Sequence, residues 1–177
     1  RIYFFKGAAV KETVEDINKA DSKGNVLTET DPLGGIETYT YDPVYNQVLT
    51  STNKLGNTTL FSYDGAGNLL NITDPLGNTT TFTYDSLGNL TSRTDALGNT
   101  TTFTYNTNGD LVSTTDASGY VSTYSYDPVG NRISETDANG YITNYSYDNL
   151  NRLVDITDAL GYISTYSYDP VGNRISE

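Results

Sequence analysis

Polar and apolar positions alternate in short runs along most of the chain. In Thr79-Thr-Thr-Phe82-Thr-Tyr84 the two rings stand two residues apart, which puts both on one face of an extended strand and does not fit a helical period. The same pair recurs as Tyr39 and Tyr41, Phe61 and Tyr63, Phe82 and Tyr84, Phe103 and Tyr105, Tyr124 and Tyr126, Tyr145 and Tyr147, and Tyr166 and Tyr168. Successive pairs are spaced 22 residues once and then 21 five times, and Ala20-Asp21 continues the phase backward without rings. A turn signal follows each pair, as in Asp85-Ser-Leu-Gly88-Asn89, and an Asp-x-x-Gly signal precedes most of them, as in Asp95-Ala-Leu-Gly98. The glycines that mark these turns are Gly67, Gly77, Gly88, Gly98, Gly109, Gly119, Gly130, Gly140 and Gly161. A more polar return run, such as Leu69-Leu-Asn-Ile72 or Leu153-Val-Asp-Ile156, completes the unit.

Two strands of about six residues and two turns of about four fill the repeat. The pattern therefore predicts an all-β fold: a repetitive antiparallel sheet of 21-residue units with fourteen or more strands, forming a spiral or tubular, solenoid-like array over residues 20–177. Tyr45 falls where the other repeats have Gly or Asn and coincides with the one 22-residue spacing, which predicts a bulge or longer loop near residues 45–53.

Composition changes the picture in two ways. Of 177 residues 16 are Tyr, and aliphatic residues are sparse, so the ring pairs are expected to form the structural core. Cys, Met, His and Trp are all absent, which excludes disulfides, Cys/His zinc sites and thiol or imidazole catalysis. The formal net charge of −12, with Lys and Arg scattered singly, argues against nucleic acid as a partner. No apolar run is long enough for a membrane-spanning helix, and Arg1 opens no signal-peptide pattern.

The motifs Tyr84-Asp-Ser-Leu-Gly-Asn-Leu90 and Tyr126-Asp-Pro-Val-Gly-Asn-Arg132, each followed by Asp-x-x-Gly and a strand rich in Thr and aromatics, resemble the YD repeats of the RHS family. The resemblance covers roughly residues 20–177. It implies a long β-sheet of the kind that spirals into a hollow shell in bacterial Rhs and insecticidal Tc toxins, or that builds large extracellular proteins such as wall-associated proteins and teneurins. That family keeps its chemistry in appended regions. Neither a toxin payload nor a self-cleaving segment is seen in this sequence.

Residues 1–19 depart from the repeat and read as a cap or joining segment. Ile2-Tyr3-Phe4-Phe5 has the character of a strand, while Val10, Val14 and Ile17 have the spacing of a short amphipathic helix. At the other end, residues 124–135 recur letter for letter as 166–177. An unpaired strand around Arg174 and Ile175 could accept Ile2, Tyr3, Phe4 and Phe5 of a second copy, giving head-to-tail self-association.

Asp and Asn cluster at the turns, as in Asp137-Ala-Asn-Gly140, but turn capping accounts for them without a metal or other cofactor. Identical repeats also give identical environments, whereas acid–base catalysis needs an asymmetric pair. Tyr120, Tyr141 and Tyr162 lie outside the ring pairs and are candidates for sugar binding, or for a ladder of stacked rings between repeats. Asn-x-Ser/Thr triplets begin at Asn57, Asn71, Asn78, Asn89, Asn99 and Asn144. These features point to a non-enzymatic, extracellular or cell-surface structural protein. The near-identity of the repeats favours a fibre or tube of copies joined end to end; the alternatives are a wall segment of a toxin-encapsulating shell and a glycan-binding adhesin. Its partners would be itself and, in the two alternatives, an enclosed toxin domain or glycans.

Overall fold

The computed structural model describes residues 4–5, 8–9 and 19–176, and none of these is helical. Two short strands, β1 (Phe4–Phe5) and β2 (Ala8–Ala9), pair with each other apart from the repeats. Ile2 and Tyr3, and the expected helix at Val10, Val14 and Ile17, lie outside the described residues.

A fifteen-stranded sheet then runs in strict chain order. It begins with β3 (Lys19–Ala20), β4 (Val26–Thr30), β5 (Ile36–Tyr41), β6 (Val48–Thr52) and β7 (Thr58–Tyr63). It continues through β8 (Leu69–Thr73), β9 (Thr79–Tyr84), β10 (Leu90–Thr94), β11 (Thr100–Tyr105) and β12 (Leu111–Thr115). It ends with β13 (Val121–Tyr126), β14 (Arg132–Thr136), β15 (Ile142–Tyr147), β16 (Leu153–Thr157) and β17 (Ile163–Thr165). A last pair, β18 (Ser167–Tyr168) and β19 (Arg174–Ser176), repeats the pattern. The chain forms two compact units, residues 1–81 and 82–177, whose boundary falls inside β9.

From β4 to β16, six-residue ring strands alternate with five-residue return strands. From a return strand into the next ring strand the register is even, as in Ser113↔Thr123 and Thr115↔Val121. From a ring strand into its return strand it slips once, at the second ring: Thr104 pairs with Ser113 but Tyr105 with Leu111. The slip leaves Val112 as the extra residue of a bulge, so two consecutive residues oppose one tyrosine. It recurs at Tyr41, Tyr63, Tyr126 and Tyr147. Return strands therefore open on doublets such as Val48-Leu49, Leu69-Leu70 and Leu153-Val154, which break strict alternation in the sequence.

The turns are uniform. Asp95 N–H bonds to the Asn99 carbonyl at 2.9 Å and Gly98 N–H to the Asp95 carbonyl at 3.0 Å, a tight reversal that needs a left-handed residue at its fourth position; Gly98 has φ +87°. The other turn glycines expected from the sequence also have positive φ. The irregular repeat has the longer loop that its spacing predicts. The extra residue lies in the turn 42–47, where Asn46, at φ 61°, takes the glycine's role, and β6 then carries the same bulge at Val48-Leu49 as the other return strands. Asn tolerates this conformation because its side chain can bond locally, so the one inserted residue is absorbed in the turn and the strand pairing of this repeat stays like that of the others.

One correction concerns the core. All fourteen ring-pair residues are half-buried, and no described side chain is fully buried. A single sheet covers its rings only with their neighbours on the same face, and the described residues supply no second layer. The opposite face is hydroxyl-rich, with cross-strand pairs such as Thr94–Thr100 at 2.8 Å, Thr104–Ser113 at 2.8 Å and Ser125–Ser134 at 2.6 Å.

Candidate functional site

The repeat unit carries three recurring devices: a tyrosine tie, a carboxylate clasp at the turns and, in unit two, arginines lying over rings.

The tie joins consecutive hairpins. Tyr126 donates its hydroxyl to the Leu111 carbonyl at 2.9 Å, fifteen residues back. The backbone ladder between β12 and β13 ends at Ser113–Thr123, so the side chain takes over where main-chain pairing stops. Tyr41 to Val26 at 2.9 Å, Tyr63 to Val48 at 2.9 Å, Tyr147 to Arg132 at 3.0 Å and Tyr168 to Leu153 at 2.7 Å make the same bond. Each acceptor is the first residue of a return strand, so the bulge and the tie act at one point.

In the clasp, Asp85 Oδ1 accepts the N–H groups of Leu87 and Asn89, both at 2.9 Å, and Oδ2 accepts the Asn89 amide at 2.9 Å. These bonds hold the Asp85 carboxyl below its ordinary pKa, the Asn89 side chain contributing most. Asp64, Asp127 and Asp169 repeat the arrangement with Asn68, Asn131 and Asn173. Arg152 replaces the asparagine at Asp148, with an ion pair of 2.6 Å. At Asp31 the partner is Lys54, 2.9 Å away on another turn, and together with the backbone bonds it lowers the carboxyl pKa to about 2.

One turn exchanges the two roles. Asn106 sits in the Asp place, and its amide donates to Asp110 Oδ2 at 2.9 Å. Asn106→Asp alone would set two carboxylates face to face and remove the donor, and is expected to cost about 1 kcal/mol in urea unfolding. Adding Asp110→Asn recreates the Asp127–Asn131 pair and should recover most of that loss; additive losses would show that the clasp contributes nothing.

Arginines over the rings were not anticipated from the sequence. The Arg132 guanidinium lies 4.9 Å from the Tyr145 ring centre and 5.7 Å from that of Tyr124, and it pairs with Glu135 at 3.1 Å. Arg152 lies over Tyr168 at 4.6 Å and Arg174 over Tyr166 at 5.3 Å. For Arg132 and Arg174 the signal was available in Gly-Asn-Arg, where the arginine takes the place of a Leu that elsewhere opens the return strand; Arg152 instead stands in the asparagine place of its turn.

Among the described residues there is no cluster of acidic side chains suited to a metal ion. Tyr120, Tyr141 and Tyr162 emerge from turns on one edge of unit two at 58%, 59% and 70% exposure. They do not form a ladder of stacked rings: an intervening strand sets them about 9.5 Å apart, beyond ring-contact distance. Arg174 and Ile175 lie in β19, both exposed.

Comparison with known proteins gives one consistent result. The RHS Repeat family model matches residues 44–79, 63–100, 84–119, 105–142, 126–163 and 147–177. No curated protein matches the chain. Among solved structures, the Photorhabdus luminescens Tc holotoxin pore aligns with 86% of this chain and 9% of its own, at 19% identity and a TM-score of 0.67. The TcdB2–TccC3 complex without its hypervariable C-terminal region aligns over 86% of this chain and 12% of its own, at 18% identity and a TM-score of 0.49.

Proposed function

Because the chain belongs to the RHS repeat family, we propose that it is a segment of the wall of an RHS-type shell, an architectural element of a secreted or surface-exposed protein rather than a catalyst. The observation that carries this reading is a sheet with no core of its own. Its rings are only half covered, and its turn tips present bare leucines, with Leu76 and Leu97 each 88% exposed. Rings left half covered along a whole sheet face suit further protein against it, and in a shell the adjoining passes of the same sheet supply that cover. The carboxylates of the clasp turns are occupied in holding those turns, which suits a structural role. Among the described residues no helix is long and apolar enough to cross a membrane.

A second reading, a fibre of copies joined end to end, rests on the identity of residues 124–135 with 166–177: one repeated contact generates an open helical array. Phe4–Phe5 would then extend the β19 edge of another copy. Electron microscopy of the intact protein distinguishes the two. Closed hollow particles are the expected result. Filaments that disappear on deleting residues 1–5 would replace the wall with the fibre, and dispersed monomers would overturn both.

A further inference from the structure

In two turns an asparagine stands where the others have glycine, and both hold a left-handed backbone, Asn46 at φ 61° and Asn151 at φ 59°. Glycine would adopt that conformation without strain, so a side chain kept there points to work for the side chain. In both cases it meets the turn before. The Asn25 amide donates to Asp21 Oδ2 at 2.7 Å within its own clasp and to Asn46 Oδ1 at 2.6 Å on the next turn. Asn46 returns a bond to Asn25 Oδ1 at 2.7 Å. Asn131 divides its amide in the same way, between Asp127 Oδ2 at 2.8 Å and Asn151 Oδ1 at 3.0 Å. A glycine offers no side chain to accept that second amide proton.

The residue after each asparagine reaches the turn beyond. Gln47 Nε2 donates to the Gly67 carbonyl at 2.5 Å, and Arg152 Nη1 to the Asp169 carbonyl at 3.4 Å. Turn 42–47 adds two more bonds: the Tyr45 hydroxyl donates to the Gly65 carbonyl, and Lys23 Nζ donates to the Pro43 carbonyl at 2.7 Å. Each asparagine turn thus links three successive turns, 21–25, 42–47 and 64–68 in unit one and 127–131, 148–152 and 169–173 in unit two. Among the described residues the glycine turns 85–89 and 106–110 make no side-chain hydrogen bond to a neighbouring turn.

We infer that turns 42–47 and 148–152 are staples, each binding three hairpins into one block that opens as a unit. Where repeats touch only their neighbours through the sheet, hairpins open singly. A stapled hairpin must break turn bonds on both sides to do so, whereas β11–β12, closed by the glycine turn 106–110, keeps the single-hairpin behaviour. The inference does not depend on whether the sheet closes into a shell.

Native-state hydrogen exchange read by mass spectrometry tests it. Residues 127–131, Asp-Pro-Val-Gly-Asn, supply the design: deleting Tyr45 together with Asn46→Gly and Gln47→Asn rebuilds that glycine turn in place of 42–47. The circular dichroism should be unchanged, while amides of β4 to β8 exchange at least about tenfold faster and those of β11 and β12 as before. Asn151→Gly removes a single bond and should speed exchange in β13 to β16 about fivefold. Asparagines that served only to form turns predict the reverse, because glycine relieves the strain and exchange then stays as slow as in the parent or becomes slower. Asn46→Gly at full length repeats the first measurement if the shortened turn does not fold. Unchanged or slower exchange in either folded variant, or acceleration shared equally by β11 and β12, would overturn the inference.

Discussion

The sheet should be stable across neutral pH and unfold cooperatively on acidification, with the transition beginning as the pH falls below about 4. Nine aspartates are held below their ordinary pKa: Asp21, Asp31, Asp64, Asp74, Asp85, Asp95, Asp127, Asp148 and Asp169. The cause is the same throughout: a side-chain donor, usually asparagine, and backbone N–H groups bonded to the carboxylate. In this window the unfolded chain binds more protons than the folded one. Each group's contribution is therefore present above its unfolded pKa and is lost as the pH falls toward the folded value, which is about 2 at Asp31. All nine are only half-buried, so solvent screens each clasp and no single one decides the outcome; their number does.

The alkaline side has the opposite sign. Tyr39, Tyr63, Tyr126 and Tyr145 are raised above 10, Tyr39 chiefly by its bond to Glu37 and the others by burial. Their contribution is present below the unfolded tyrosine pKa and is lost as the pH rises through the folded one. At Tyr63 and Tyr126 ionisation also removes the proton that forms the tie. Far-ultraviolet circular dichroism against pH checks the acid limb, and tyrosinate absorbance the alkaline one. A strand signal unchanged down to pH 2 would refute the role given to the clasps.

Strands and turns were legible because both depend on neighbours in sequence. Two-residue spacing of rings sets a face, and an Asp followed by Gly or Asn at the correct offset sets a reversal. The bulge was harder to see. Val112 reads as one more apolar residue after Leu111, and only pairing with β11 shows that both oppose Tyr105. The clasp was half visible, since Asp capping was expected but the exchange at Asn106 and Asp110 requires two side chains to be read as one pair. The extent of burial could not be read at all. Alternation states which face a ring occupies, and says nothing about whether a second layer covers that face. The same gap explains Arg132, whose charge suggested solvent while its position put it between the rings of two repeats.

Phenylalanine substitution along the tyrosine series should separate the tie from the ring that carries it. Tyr126 donates to the Leu111 carbonyl, whereas among the described residues Tyr105, at the equivalent place one repeat earlier, makes no such bond. Tyr126→Phe should therefore cost about 1 kcal/mol in urea unfolding, the net worth of one hydrogen bond whose acceptor is left unpaired. Tyr105→Phe should stay within about 0.5 kcal/mol of the parent. Truncation removes the ring as well. Because these rings are half-buried, Tyr126→Ala should cost about 2–3 kcal/mol, less than the 3–5 kcal/mol of a fully enclosed aromatic. Thr102→Ala, on the exposed hydroxyl face, should cost much less than either. Since each repeat touches only its neighbours, losing one tie also weakens coupling along the array, so Tyr126→Ala should broaden the transition where Tyr105→Phe leaves it sharp. Equal losses for both phenylalanine variants would mean that the hydroxyls do not join the hairpins, leaving cohesion between repeats to the backbone ladder and the rings alone.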